Sequence, residues 1–162
     1  MQTANRENDM AEIAAYTAVS TTLMAVLAGT PVLTLEGDLP VEFLQPGDRV
    51  ITRAGARCIT QVEVTVVRNA RVVRISHGTL GVDCPTEDVT VSAAQEILIR
   101  DWRAKAMFGR PQAMIAAARL ADGEYIRAET LAEARFFSLS FEEDAVIYAS
   151  GLELACPALV VV

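Results

Sequence analysis

An all-β fold is what this sequence predicts: a compact domain of many short strands and hairpins with one short helix. Three observations predict it. Short runs rich in Val, Ile, Thr and Phe recur along the chain, and several alternate apolar and polar residues with period two. Gly- and Pro-bearing turn signals separate these runs. One patch alone has a clear helical pattern, so nothing suggests the regular strand–helix alternation of βαβ units.

Taken in order, residues 1–9 are polar and read as a loose terminus. Residues 10–28 are Ala-rich, with Ile13, Tyr16 and Ser20 roughly on one helical face. The run VSTT weakens a helix there, because β-branched residues lose rotamer freedom in one. A short helix passing into a strand near Leu23 is expected. Residues 1–22 are therefore read as an N-terminal arm of part-helical character and residues 23–162 as one β domain.

Residues 30–35 (TPVLTL) read as a strand, closed by the turn signal Glu36-Gly37-Asp38. Residues 39–44 (LPVEFL) set Val41 and Phe43 on one face and Glu42 on the other, ahead of Pro46-Gly47-Asp48. That triplet suits a tight turn: Pro presets φ, Gly accepts φ > 0, and Asp bonds nearby backbone. Residues 49–53 lead into a further run. Residues 59–67 alternate with Val62, Val64 and Val66 on one face, which predicts a half-buried strand. Residues 70–76 predict another, before a loop broken by Gly78, Gly81 and Pro85.

Residues 88–92 and 96–100 predict two short strands around Ala93-Ala94-Gln95. Residues 114–120 (MIAAARL) are the clearest helical patch, and Gly123 suits the end of a helix. Residues 135–141 (RFFSLSF) send Phe137, Leu139 and Phe141 one way and Phe136, Ser138 and Ser140 the other. Residues 145–149 follow the acidic turn Glu142-Glu143-Asp144.

Composition limits the function. The chain has 162 residues, 52% of them apolar but only 6% aromatic, so its core is expected to be aliphatic. A net charge of −7 argues against nucleic acid or an anionic membrane as partner. Cys58, Cys84 and Cys156 are too scattered for a disulfide framework, and no CxxC pair suggests zinc. No cofactor or metal is expected. With no basic leader and with Tyr, Ser and Thr interrupting the apolar stretch 13–35, a cytoplasmic location is expected. Oligomeric state is not legible.

The stretch from Gly29-Thr30 through Gly37, Val41, Leu44, Pro46-Gly47-Asp48, Val50, Thr52 and Gly55 resembles the start of the Hint fold of hedgehog autoprocessing domains and inteins, in particular the bacterial second Hint family. The resemblance continues through Arg74-Ile75, Gly78-Thr79-Leu80-Gly81, Val91-Ser92 and Gln95 to Ile99. It persists in Met107-Phe108-Gly109-Arg110-Pro111, Ala117 to Leu120, Gly123 and Ile126, and at Phe137 to Phe141, Val146-Ile147 and Ala149 to Gly151.

This resemblance implies self-cleavage. A Cys or Ser at the domain's first position attacks the preceding carbonyl, and a His protonates the departing amide nitrogen. Here the nucleophile position is Ala25 and the His position, in Ser92-Ala93-Ala94-Gln95, is Gln95. Two later His positions fall on Ser138 and Asp144. A methyl cannot attack and an amide cannot exchange a proton at neutral pH.

The expectation is thus a protein related to self-cleaving and splicing domains, inactive for autoprocessing, with no catalytic residues and serving as a scaffold for a protein partner. The alternative is an active domain with a displaced nucleophile such as Thr22; His77 and Cys156 are weaker candidates for chemistry. His77 reads as an exposed loop residue, and Cys58, Cys84 and Cys156 as packed thiols. Trp102 is expected to be partly buried. If the arm still crosses the site, the Met24–Ala25 peptide should pack near Gln95.

Overall fold

The computed structural model describes residues 23–158. The arm over 1–22, with Thr22 and its helix, lies outside the described residues. Twelve strands carry the described part: β1 (Val26–Leu27), β2 (Pro31–Thr34), β3 (Gly37–Pro40), β4 (Arg49–Thr52), β5 (Gly55–Cys58), β6 (Gln61–Ile75), β7 (Val89–Ser92), β8 (Glu96–Ile99), β9 (Ala113–Ala116), β10 (Ile126–Ser140), β11 (Ala145–Ala149) and β12 (Leu152–Cys156). Two short helices join them, α1 (Trp102–Phe108) and α2 (Ala117–Leu120), with one 3-10 turn at Val41–Phe43.

The strands form two systems. In a closed barrel β1, β10, β6 and β7 pair around a ring. An eight-stranded sheet runs β3-β2-β4-β11-β12-β8-β9, with β5 added on β4. The barrel is dominated by β6 and β10, which pair antiparallel along their length from Ile75–Ile126 to Gln61–Ser140. One cluster of buried aliphatic side chains, including Val32, Val50, Ile75, Ile97, Ile126, Ile147 and Leu154, spans both systems.

Local chemistry explains the hairpins. The strings TLEG and TRAG fold alike: Thr34 Oγ1 donates to the Gly37 carbonyl at 2.8 Å, and Thr52 Oγ1 donates to the Gly55 carbonyl at 2.7 Å. In each, the same hydroxyl accepts a backbone N–H two residues on. Gly37 and Gly55 sit at φ +97° and +93°, a conformation costly to residues with a Cβ. At Pro46-Gly47-Asp48, the Asp48 carboxylate accepts the Gln45 N–H at 2.9 Å, closing the expected turn.

Several element readings need correction. Residues 59–67 and 70–76 do not form two strands; both belong to β6, which continues past Asn69 at φ +50°. Its Val64 and Val66 are about half exposed, because the face buried here is the other one, which carries Val67 with its partner Ala134 and Phe136 opposite Thr65. Residues 114–116 belong to β9, and only Ala117–Leu120 is helical: the pairing of Ile97 with Ile115 overrides the helical propensity of Ala and Met. The stretch 39–44 is split, its second half being the 3-10 turn. The longer helix, α1, falls where no helix was expected. Asp101 caps it by accepting the Arg103 N–H at 3.0 Å, and Gly109, at φ +66°, ends it. Trp102, at its start, is 70% exposed rather than partly buried. No described helix is long and apolar enough to cross a membrane.

Candidate functional site

The chain enters the barrel through Leu23, Met24 and Ala25 and continues as β1, between β10 and β7. The first residues before β1 are held from both neighbours. From the end of β7, the Ser92 hydroxyl accepts the Ala25 N–H at 3.0 Å and donates to the Leu23 carbonyl. The Ser92 backbone N–H donates to the Ala25 carbonyl at 3.0 Å. From β10, the Ser138 hydroxyl donates to the Met24 carbonyl at 2.8 Å. The peptide between Met24 and Ala25 therefore has its N–H bonded by one serine and its carbonyl oxygen by another. Just beyond β1, Gly29 at φ +90° and the Thr30 hydroxyl bonded to the Leu27 carbonyl at 2.8 Å turn the chain out of the barrel.

This peptide borders a cavity of about 390 Å³ whose lining includes Ala25, Glu63, Gln95, Ser138, Leu154 and Cys156. Gln95 is buried in the turn between β7 and β8. Its side-chain amide donates both hydrogens to backbone, to Glu96 and Ala155 carbonyls at 2.9 Å each. Two carbonyl partners fix the amide's orientation and leave Oε1, an acceptor, as its remaining polar atom. Cys156 is buried, and desolvation pushes its thiol from the ordinary value of 9.0 up to about 12. At neutral pH it is neutral and inert. Glu63, opposite Ser138 across the β6–β10 ladder, is the one carboxylate in this lining.

Of the family positions read from the sequence, Ala25, Gln95 and Ser138 meet at this cavity and Asp144 does not. Asp144 sits in the exposed acidic turn, where its carboxylate accepts the Ala158 N–H at 2.7 Å, and it lines a separate cavity of about 480 Å³. Met24, Ala25 and Gln95 all line this cavity, yet the direct bonds to the peptide come from Ser92 and Ser138. In the sequence Ser92 stands out only as the first residue of a motif. Its signal is that position, three residues ahead of Gln95, but a bond to a residue 67 positions away is not legible from spacing.

His77 lies away from this cavity. It is exposed in the loop after β6, its Nε2 3.6 Å from Asp83 and its backbone N–H bonded to Asp88 at 2.8 Å. Asp88 also accepts from Arg74, and the His77 N–H together with Arg74 holds its carboxyl below the usual range. Cys58 is exposed on β5, and Cys84 is half-buried with its thiol raised by burial and by Glu153 and Asp83. No group of three or more His, Cys, Asp or Glu among the described residues is arranged to hold a metal ion.

A strand-built barrel shares its core with a second sheet, and the chain's entry peptide is clamped between two strands beside a buried turn. The chain belongs to the Hint domain family, whose sequence pattern matches residues 24–155. Solved structures agree on the fold. A bacterial intein-like domain from Clostridium thermocellum superposes with a TM-score of 0.58 at 15% identity, covering 83% of this chain and 99% of that one. The TvoVMA intein gives 0.59 at 13% identity, over 83% and 98%. A DnaB intein from Synechocystis sp. PCC 6803 gives 0.55 at 10% identity, over 82% and 97%. No curated protein sequence matches the chain. The Hint architecture is thereby established.

Proposed function

We propose that this chain is a Hint domain that has lost self-cleavage and serves as a binding or structural scaffold. The observation that carries this reading is the Met24–Ala25 peptide. It is gripped at its N–H by Ser92 and at its oxygen by Ser138, as a peptide awaiting acyl transfer would be, but the side chain that would attack is a methyl group. Polarising a carbonyl through one hydroxyl does not cleave it without a nucleophile and a proton for the leaving nitrogen.

The neighbouring groups do not supply either. Both hydrogens of the Gln95 amide are committed to backbone carbonyls, and an amide cannot serve as the acid. The Cys156 thiol, raised to about 12, is a poor nucleophile at neutral pH. What remains is structure: the same contacts that would present a scissile bond anchor the entry of the chain into the barrel.

The test is intact mass of purified protein incubated with and without hydroxylamine, which intercepts acyl intermediates. An unchanged mass is the expected result. Release of a fragment ending near residues 20–25 would overturn the proposal and point to Ser20, Thr21 or Thr22 as a displaced nucleophile.

A further inference from the structure

The stretch that carries α1 is rich in cations. Residues 100–119 hold five of the chain's 14 Lys and Arg but one of its 21 Asp and Glu. The chain as a whole carries −7, so this stretch is a basic island on an acidic protein. The single acid, Asp101, is already used: it caps α1 and pairs with Arg103. Asp122, near enough to feel Arg103, spends one oxygen on the backbone N–H groups of Glu124, Tyr125 and Ile126. Lys105, Arg110 and Arg119 are exposed and make no ion pair among the described residues.

Two aromatic rings stand among these cations. Trp102 is 70% exposed and Phe108 is 42% exposed, while Ala104, one turn before Phe108, is fully buried. The Arg103 guanidinium lies 4.9 Å from the Trp102 ring centre, and that of Arg119 lies 5.0 Å from the Phe108 ring centre. Arg103 is already paired with Asp101, whereas Arg119, over the Phe108 ring and in no ion pair among the described residues, has N–H groups available to a carboxylate. Trp and Arg are also the residue types most enriched where protein interfaces concentrate their binding energy.

We propose that the surface around α1, carrying Trp102, Lys105, Phe108, Arg110 and Arg119, docks an acidic protein segment: carboxylates against the cations, with an apolar side chain against an exposed ring. The occupant is chosen by charge. A flat anionic membrane would approach the acidic remainder of the chain as well, whereas a peptide touches this face alone. The inference rests on the scaffold reading and names the chemistry of its partner, but it does not depend on events at Ala25.

Trp102 is the chain's single tryptophan, so its emission reports on this face directly. The experiment titrates the full chain with a 12-residue peptide alternating Glu and Leu, with its Lys–Leu counterpart, and with phosphatidylserine vesicles, at low and physiological salt. Blue-shifted Trp102 emission with the acidic peptide only, weakened at least tenfold in Lys105→Glu/Arg119→Glu, is the expected result. Circular dichroism confirms that the variant is folded. If the variant does not fold, Lys105→Gln/Arg119→Gln takes its place, with at least threefold weakening expected.

Equal response to both peptides, binding to vesicles alone, or binding indifferent to both variants overturns the proposal. An intact mass with no peptide binding rejects this inference and leaves the scaffold reading standing. Self-cleavage rejects that reading whatever the peptide does.

Discussion

The Ser138 hydroxyl donates to the Met24 carbonyl at 2.8 Å, a bond between residues 114 positions apart. It ties the start of the domain to the end of its longest ladder. Ser92 makes the matching bond to the next N–H from the other side. Ser92 is fully buried and bonds both Ala25 and Leu23, so Ser92→Ala leaves a buried N–H and a carbonyl without partners. A loss of about 1–3 kcal/mol is expected in urea unfolding, against about 1 kcal/mol for Ser138→Ala, whose carbonyl partner lies on the cavity wall.

Gln95 is predicted to matter for stability. Gln95→Leu keeps the approximate volume but strips the Glu96 and Ala155 carbonyls of their donors. A loss of about 1–3 kcal/mol is expected. Chemical denaturation of the two proteins, compared at equal slope, measures it.

Cys156 gives a pH dependence of definite sign. Its folded value of about 12 exceeds the ordinary 9.0, so the folded state holds its proton where the unfolded state has released it. This stability is complete below pH 9 and is lost as pH rises towards 12, by up to about 1.4 kcal/mol per unit. Cys156→Ala should flatten that alkaline limb, as followed by thermal melts from pH 8 to 11. In the native protein at pH 8, a thiol reagent should label exposed Cys58 first and leave Cys156 unlabelled until the chain unfolds.

Gly151 follows the sharp turn between β11 and β12 at φ +79°, and a Cβ there would lie 2.4 Å from the Asp83 carbonyl oxygen. Gly151→Ala must displace backbone as well as adopt a left-handed conformation. A loss of more than about 2 kcal/mol is expected in the same unfolding assay.

The sequence spoke most clearly where structure is local. Thr34 and Thr52 with their glycines, and Gln45 to Asp48, fold through bonds that reach two or three residues along the chain. The α1 helix had such signals too, Asp101 before it and Gly109 after it, but its single buried residue, Ala104, gave no apolar stripe to read. Valine alternation in β6 was visible, while its exposure was not, since the face that is buried, that of Val67, Ala134 and Phe136, is chosen by packing between distant strands. At the site, Ala25, Gln95 and Ser138 could be placed by resemblance. That Ser92 and Ser138 hold the peptide is a product of three strands meeting, and no spacing along the chain encodes it.

The most direct test of the central claim compares intact masses of the wild type and of Ala25→Cys/Gln95→His after incubation with hydroxylamine. The variant restores a thiol beside the clamped peptide and an imidazole at the buried turn. The account predicts an unchanged wild-type mass and cleavage of the variant directly after Met24. Cleavage of the wild type near residues 20–25 would contradict it.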